Sequence, residues 1–237
     1  MNGERQENRI ALSAGRKRAS CLLKCAVAAS AAAGVVMSAA AGAAAFMGGR
    51  RVFMYFTIQS NIAVGLICLI GFLLLAAGRR PGNGWYAVKF AGTVSITLTG
   101  AVFCFVLAPT MGRDAWNAQN ILTHVAVPIA AVADFFVTGI CSDLKRSSAL
   151  FGTLPPLAYA VYAGIGYAAG WEFSPGRSYP YFFLNWGSPA GAFGFAGELP
   201  FMGCGWWILI MFVLVCLVGL AYLAVLERMK TGAQRQR

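Results

Sequence analysis

Residues 52–77 read VFMYFTIQSNIAVGLICLIGFLLLAA, with no charged side chain among them. The run is longer than the ~20 residues that carry a helix across a hydrocarbon core. Near its start stand Thr57, Gln59, Ser60 and Asn61. Lipid offers such groups no hydrogen-bond partner. A span that opens this way uses at least one of them inside the protein.

Five other stretches have the same character. With the first they fall at Leu22–Met47, Val52–Ala77, Tyr86–Leu107, Ile121–Cys141, Ala149–Gly170 and Pro200–Leu226. Backbone groups in lipid must bond within their own segment, so helices are the default. A membrane barrel would alternate in runs of about 10 residues, and these runs do not. Hydrophobic residues make up 59% of the chain and charged residues 11%, far from the mix of a soluble domain. The expected fold is an all-α integral membrane protein with six transmembrane helices in one compact bundle. Residues 1–20 and 228–237 read as basic tails around a membrane domain at 21–227.

The net charge is +11. Its distribution matters more than its size. Arg5, Arg9, Arg16, Lys17, Arg18 and Lys24 precede or enter the first span. Arg79, Arg80 and Lys89 flank the second loop, Lys145 and Arg146 fill the fourth, and Arg228, Lys230, Arg235 and Arg237 end the chain. The alternate loops carry only Arg50, Arg51, Arg113 and Arg177. This asymmetry places both termini in the cytoplasm, against anionic headgroups rather than nucleic acid. The start also has the outline of a signal peptide. Its apolar run continues to Phe46, which favours a retained helix.

Seven cysteines, mostly within spans, form no CxxC and no zinc spacing, and read as small core residues. There is no GxSxG, HExxH or Walker sequence. The GIGYAA at 164–169 has no strand before it, so a dinucleotide fingerprint is excluded there. Gly166 and Gly170 give a GxxxG spacing that fits helix contact. Residues 171–199 form a Gly-, Pro- and aromatic-rich loop that lies on the surface or dips into a protein-lined cavity.

His124 is the only histidine. It is a backbone-bonded structural residue, a general base or an axial haem ligand; a metal site would need more ligands. Asp134 follows on the same helix, roughly 15 Å away at ~1.5 Å per residue. An acid at that depth needs a partner, and Lys89 is within reach. Thr57 and His124 lie at similar depths below one face, and Thr57 and Asn61 share a side of their helix. A hydroxyl beside an imidazole is an activated nucleophile. Taken alone, these residues fit interhelical packing bonds at least as well.

Three stretches carry a resemblance. FMYFTIQSNIAVG (53–65), ILTHVAVPIAAVADFF (121–136) and YPYFFLNWGSPAG (179–191) are similar, in order and spacing, to segments of a multi-pass membrane family. That family includes androgen-induced protein, androgen-dependent TFPI-regulating protein and bacterial relatives, and the bacterial branch is the nearer in pattern. The eukaryotic members are threonine hydrolases of fatty-acid esters of hydroxy fatty acids. The resemblance implies Thr57 as nucleophile and His124 as base. Asn61, Gln59 and Asn185 are candidate oxyanion or supporting donors. Tyr179, Pro180 and Tyr181 are candidate substrate-binding residues.

The expected function is lipid-ester hydrolysis within a bacterial inner membrane, with a fatty-acyl ester as substrate and no metal or cofactor required. The other class is a non-enzymatic carrier or assembly partner, in which the same polar residues are packing contacts. Topology reporters fused within Asp143–Ser148 are expected to read cytoplasmic, and those within Gly176–Ser188 external. A periplasmic signal from the first fusion reverses the orientation.

Overall fold

The structure is a computed structural model that describes residues 12–44, 49–79 and 81–235. Among these, six helices are long and apolar enough to cross a membrane. The spans are Ala14–Gly42, Phe56–Ala76, Asn83–Ala115, Ala118–Gly139, Arg146–Ala168 and Cys204–Gln234. Their main α-helical segments are α1 (Ala14–Ala44), α2 (Phe56–Ala76), α3 (Asn83–Val102), α4 (Val127–Gly139), α5 (Ala149–Ala168) and α6 (Cys204–Arg235). α3 runs on through a π turn at Phe103–Leu107, and α4 is reached through another at Leu122–Ala126. The described residues form no named strand, only isolated bridges at Ser174–Arg177 and Phe195–Met202. The protein is an all-α, multi-pass helical bundle.

Several boundaries differ from the hydropathy reading. α1 begins at Ala14, so Arg16, Lys17 and Arg18 belong to the helix; its expected end at Met47 lies outside the described residues. Residues 49–54 form a 3₁₀ turn, and α2 begins only at Phe56 after an extended Tyr55. Thr57 is therefore the second helical residue. α6 starts at Cys204 rather than Pro200 and continues through Arg235. Glu, Arg, Met and Lys after Leu226 are good helix formers, so nothing stops the helix there.

α3 is the central element. It packs against α2, α4, α5 and α6, while α1 lies across α2 and α4. No comparable packing joins α2 to α5. The main core gathers Phe90, Val94 and Leu98 of α3 with Phe135 of α4, Ala149 of α5, and Val215 and Leu226 of α6.

The GxxxG expectation is corrected by the end of α5. Gly170 has φ +71°. Its N–H donates to the Tyr167 carbonyl, and Trp171 N–H donates to that of Gly166. This is a Schellman stop, which a positive-φ glycine suits. A Cβ on Gly166 would lie 2.7 Å from the Trp171 ring and 3.0 Å from that of Phe173. The glycine makes room for loop aromatics, not for a neighbouring helix.

At one end of the bundle a buried ion cluster ties three helices together. Lys89 Nζ of α3 lies 2.5 Å from Asp134 Oδ2 and 2.5 Å from Thr138 Oγ1. This is the expected pair. Lys24 of α1 joins it, with Nζ 2.7 Å from each Asp134 oxygen. Ser20 donates a further hydrogen bond to Oδ1 at 2.6 Å. Asp134 is fully buried and both lysines nearly so. Loops 140–148 and the end of α6 meet at this same end, where Lys230 donates to the Ser142 carbonyl.

Asp134→Asn leaves two buried ammonium groups without their counter-charge, and is expected to lower stability by about 3–5 kcal/mol. Replacing all three charges together, by Lys24→Met, Lys89→Met and Asp134→Leu, should recover much of the loss. Thermal unfolding in detergent reads both. Wild-type melting of Asp134→Asn would show that the cluster holds nothing together.

Candidate active site

The opposite end of the bundle is shaped by two prolines. In the π turn before α4, Val127 N–H donates to the Leu122 carbonyl, five residues back. The next residue, Pro128, has no N–H. The Thr123 carbonyl is thus left without a helical donor. Asn61 of α2 supplies one: its Nδ2 donates to Thr123 O at 3.1 Å and to Thr57 O at 2.8 Å. One buried amide links the helix that carries Thr57 to the helix that carries His124.

The same pattern recurs at Pro109. Ala108 N–H donates to Phe103 O, also five residues back. The widened turn places the Phe103 ring flat on the His124 imidazole, with centroids 3.9 Å apart and planes 18° apart. α3 and α4 approach closely here, because a Cβ on Gly100 would sit 2.8 Å from the His124 carbonyl oxygen. π turns of this kind recur at functional sites.

These contacts fix the imidazole's tautomer. Nδ1 lies 3.1 Å from the Asn120 carbonyl, which can only accept. Nδ1 therefore carries the proton. Thr123 Oγ1 is 3.0 Å away and donates its own hydrogen to Gln119 O, so it too accepts from Nδ1. Nε2 is left with a bare lone pair. It faces Thr57 Oγ1 at 3.3 Å. The imidazole is buried and Thr57 half-buried.

Tyr181 closes the site from the long loop. Its hydroxyl lies 3.4 Å from Thr57 Oγ1 and accepts from Thr57 N–H at 3.3 Å. That N–H is one of the donors a helix leaves free at its N-terminus. Burial pushes the Tyr181 hydroxyl up to about 12, so it remains a protonated donor. The Phe183 ring stacks parallel to it at 5.0 Å. Tyr55 donates to Phe173 O, which pins the loop to the start of α2, and Tyr159 donates to Met54 O, which ties α5 to the turn before α2. The loop thus dips into the bundle end.

Beside Thr57 is an apolar cavity under the loop, lined by Leu98, Val102, Pro156, Leu157, Tyr181, Phe183, Trp207, Met211 and others. About 70 Å³ is free inside it, and about 690 Å³ is unfilled when its open side is counted.

The other candidates lie elsewhere. Gln59 donates to Phe53 O at 3.1 Å and braces the 3₁₀ turn. Asn185 accepts from Gly187 N–H in a local loop turn. Tyr179 faces the Arg177 guanidinium, 5.4 Å from ring centre, and Pro180 is buried in the loop. Of these three loop residues, Tyr181 alone lines the cavity. Asn120, Thr123 and Phe103 join the site without being candidates from the sequence. The signal that marks them is a proline two residues beyond each π turn.

Comparisons with protein-family models, curated proteins and solved structures find no match to this chain.

Asn61→Leu strips the buried Thr123 carbonyl of its donor and is expected to cost ~1–3 kcal/mol of stability. Gln59→Ala, at a braced but outward turn, should stay within about 0.5 kcal/mol of wild type. Parallel melting curves test the contrast, and equal losses would remove the special place given to Asn61.

Proposed function

We propose that this protein is an intramembrane lipid-ester hydrolase with Thr57 as nucleophile and His124 as base. One observation carries the reading: the Thr57 hydroxyl faces the unprotonated nitrogen of a buried imidazole whose other nitrogen is held by a carbonyl. The resemblance of the three sequence stretches to threonine hydrolases supports the same pair and names a fatty-acyl ester as substrate class. The proposal includes a bacterial plasma membrane with both termini cytoplasmic.

In the first step His124 Nε2 takes the Thr57 proton as Oγ1 bonds to the ester carbonyl carbon. The tetrahedral oxyanion collapses, the ester C–O bond breaks, and the imidazolium returns the proton to the leaving alcohol. Water then attacks the acyl-threonine, with His124 again taking a proton, and releases the acid and the Thr57 hydroxyl. The oxyanion needs donors already in place. Asn61 and Gln59 point their amide hydrogens at backbone carbonyls. The Tyr181 hydroxyl is the donor beside Oγ1 and takes that role here; the Thr57 N–H already donates to the Tyr181 oxygen and holds that hydroxyl in place.

The second reading is a non-enzymatic protein in which Thr57, His124 and Tyr181 are packing contacts. The tight cavity favours it, since about 70 Å³ free space requires side-chain movement before a long acyl chain fits.

Labelling with a lipophilic fluorophosphonate separates the two. Thr57→Val keeps the shape, so it should fold and lose labelling, while Thr57→Ser should retain some. His124→Ala is expected to slow labelling by ~10²–10⁴-fold, and Tyr181→Phe by ~10²–10³-fold. Combining Thr57→Val with His124→Ala should cost no more than Thr57→Val alone, because the two act as a unit. Labelling of Thr57→Val at the wild-type rate would sink the hydrolase.

A further inference from the structure

A second, larger space lies on the far side of the site's wall. It is an open groove of about 790 Å³ between α2 and α5, floored by α3. This is within the ~300–1,000 Å³ of ligand-binding clefts. Its surface is mostly apolar and small: Ala63 of α2, Ala91 of α3, and Leu154 and Ala158 of α5. Along α3 it extends from Gly84 to Ser95, roughly 16 Å at ~1.5 Å per residue. The walls are span helices, so the surrounding medium is lipid.

The groove holds one polar anomaly. Ser95 is 4% exposed and lines it, yet its hydroxyl has no hydrogen-bond partner. The neighbouring hydroxyls are all engaged: Ser60 with Thr99, and Thr93 with the Lys89 carbonyl. A buried hydroxyl without a partner is costly, and a ligand oxygen would relieve it.

Only a thin partition separates this groove from Thr57. Phe56 and Tyr159 line both spaces, with ring centroids 5.2 Å apart. Below them is the Ser60–Thr99 hydrogen bond, 2.8 Å long, with Ser60 on the groove side and Thr99 on the cavity side. Ser95 is one helical turn from Thr99.

We infer that the groove is the docking site for a membrane-lipid ester taken laterally from the bilayer. The acyl chain lies along α3, an ester oxygen accepts from Ser95 once the side chains that cover its buried hydroxyl shift, and the Phe56–Tyr159 pair parts to admit the ester to Thr57. The last step rests on the hydrolase reading. Occupancy of the groove does not.

The test uses full-length Thr57→Val protein in phosphatidylcholine nanodiscs, so no ester is turned over. A trace of diazirine-bearing palmitoyl ester is photolysed, and adducts are mapped by peptide mass spectrometry. Adducts should concentrate on Ala63, Ala91 and Ala158, about tenfold above outward positions of α6 such as Leu209 and Val213, a preference of ~1.4 kcal/mol. Ala91→Trp fills the groove and should remove the excess. Ser95→Ala should lower it by about threefold to tenfold, the weight of one hydrogen bond. Even labelling of all lipid-facing helices means bulk lipid only, and overturns the proposal. So does groove labelling that neither substitution changes. An unlabelled groove, in a dimer that Ala91→Trp splits, assigns the surface to a second copy and overturns it as well. Failure of the hydrolase shows instead in the fluorophosphonate experiment, and leaves the adduct map to decide the groove.

Discussion

Pro128 has no N–H, and much of the site follows from that absence. The helical ladder before it shifts to a five-residue spacing, and the Thr123 carbonyl loses its donor. A buried carbonyl without a partner is expensive enough to require a replacement. Asn61 provides it from a neighbouring helix and bonds the Thr57 carbonyl with the same amide. The register of α2 against α4 is thereby set by one side chain, and that register puts Thr57 Oγ1 opposite His124 Nε2. Pro109 acts in parallel on α3, where the displaced ladder brings Phe103 over the imidazole. The imidazole is held on one face by a ring, at one nitrogen by carbonyl and hydroxyl oxygens, and at the other by the threonine.

The two polar centres of the bundle have different tasks. The Lys24–Asp134–Lys89 cluster uses every strong donor it has: each ammonium meets three acceptor oxygens. Such a cluster is rigid, and suits the joining of α1, α3 and α4. The Thr57 end is bonded differently. Its contacts are 3.3–3.4 Å long, the loose geometry that catalytic hydrogen bonds often have before substrate binds. Looser bonding of this kind is what the proposed hydrolysis requires, since its groups would exchange partners, whereas a cluster that only holds helices together can be saturated.

The helices were legible because hydrophobic length is a direct physical demand of the bilayer. Their ends were less so, since Arg16–Arg18 and Glu227–Lys230 are good helix formers that hydropathy treats as tails. Thr57, His124 and the Lys89–Asp134 pair could be singled out because each is a polar group in an apolar run. Lys24 was counted with the basic N-terminus, although the end of its side chain reaches the core. Asn61 is legible as an oxyanion, supporting or packing residue, but the sequence does not reveal that Pro128 frees the carbonyl it bonds. From sequence Tyr181 is placed only in a loop, because its approach to Thr57 depends on the Tyr55, Tyr159 and Phe183 rings that pack around it.

The polar opening of the second span therefore has no single explanation. Gln59 braces the preceding turn, Ser60 bonds Thr99 of α3, and Asn61 bonds the Thr123 carbonyl before α4. These three are packing bonds. Thr57 differs from them: its hydroxyl meets only a histidine lone pair and a tyrosine hydroxyl, and it borders a cavity. Packing by three of these residues and the proposed reactivity of Thr57 are thus compatible accounts of the segment. A hydroxyl can be held within reach of a base only if the helix beneath it cannot rotate, and Ser60 and Asn61, one turn further on, fix that rotation against two different helices. The cost of placing four polar side chains at the head of a membrane helix is offset by the bonds three of them make, and their bonds hold the fourth in place.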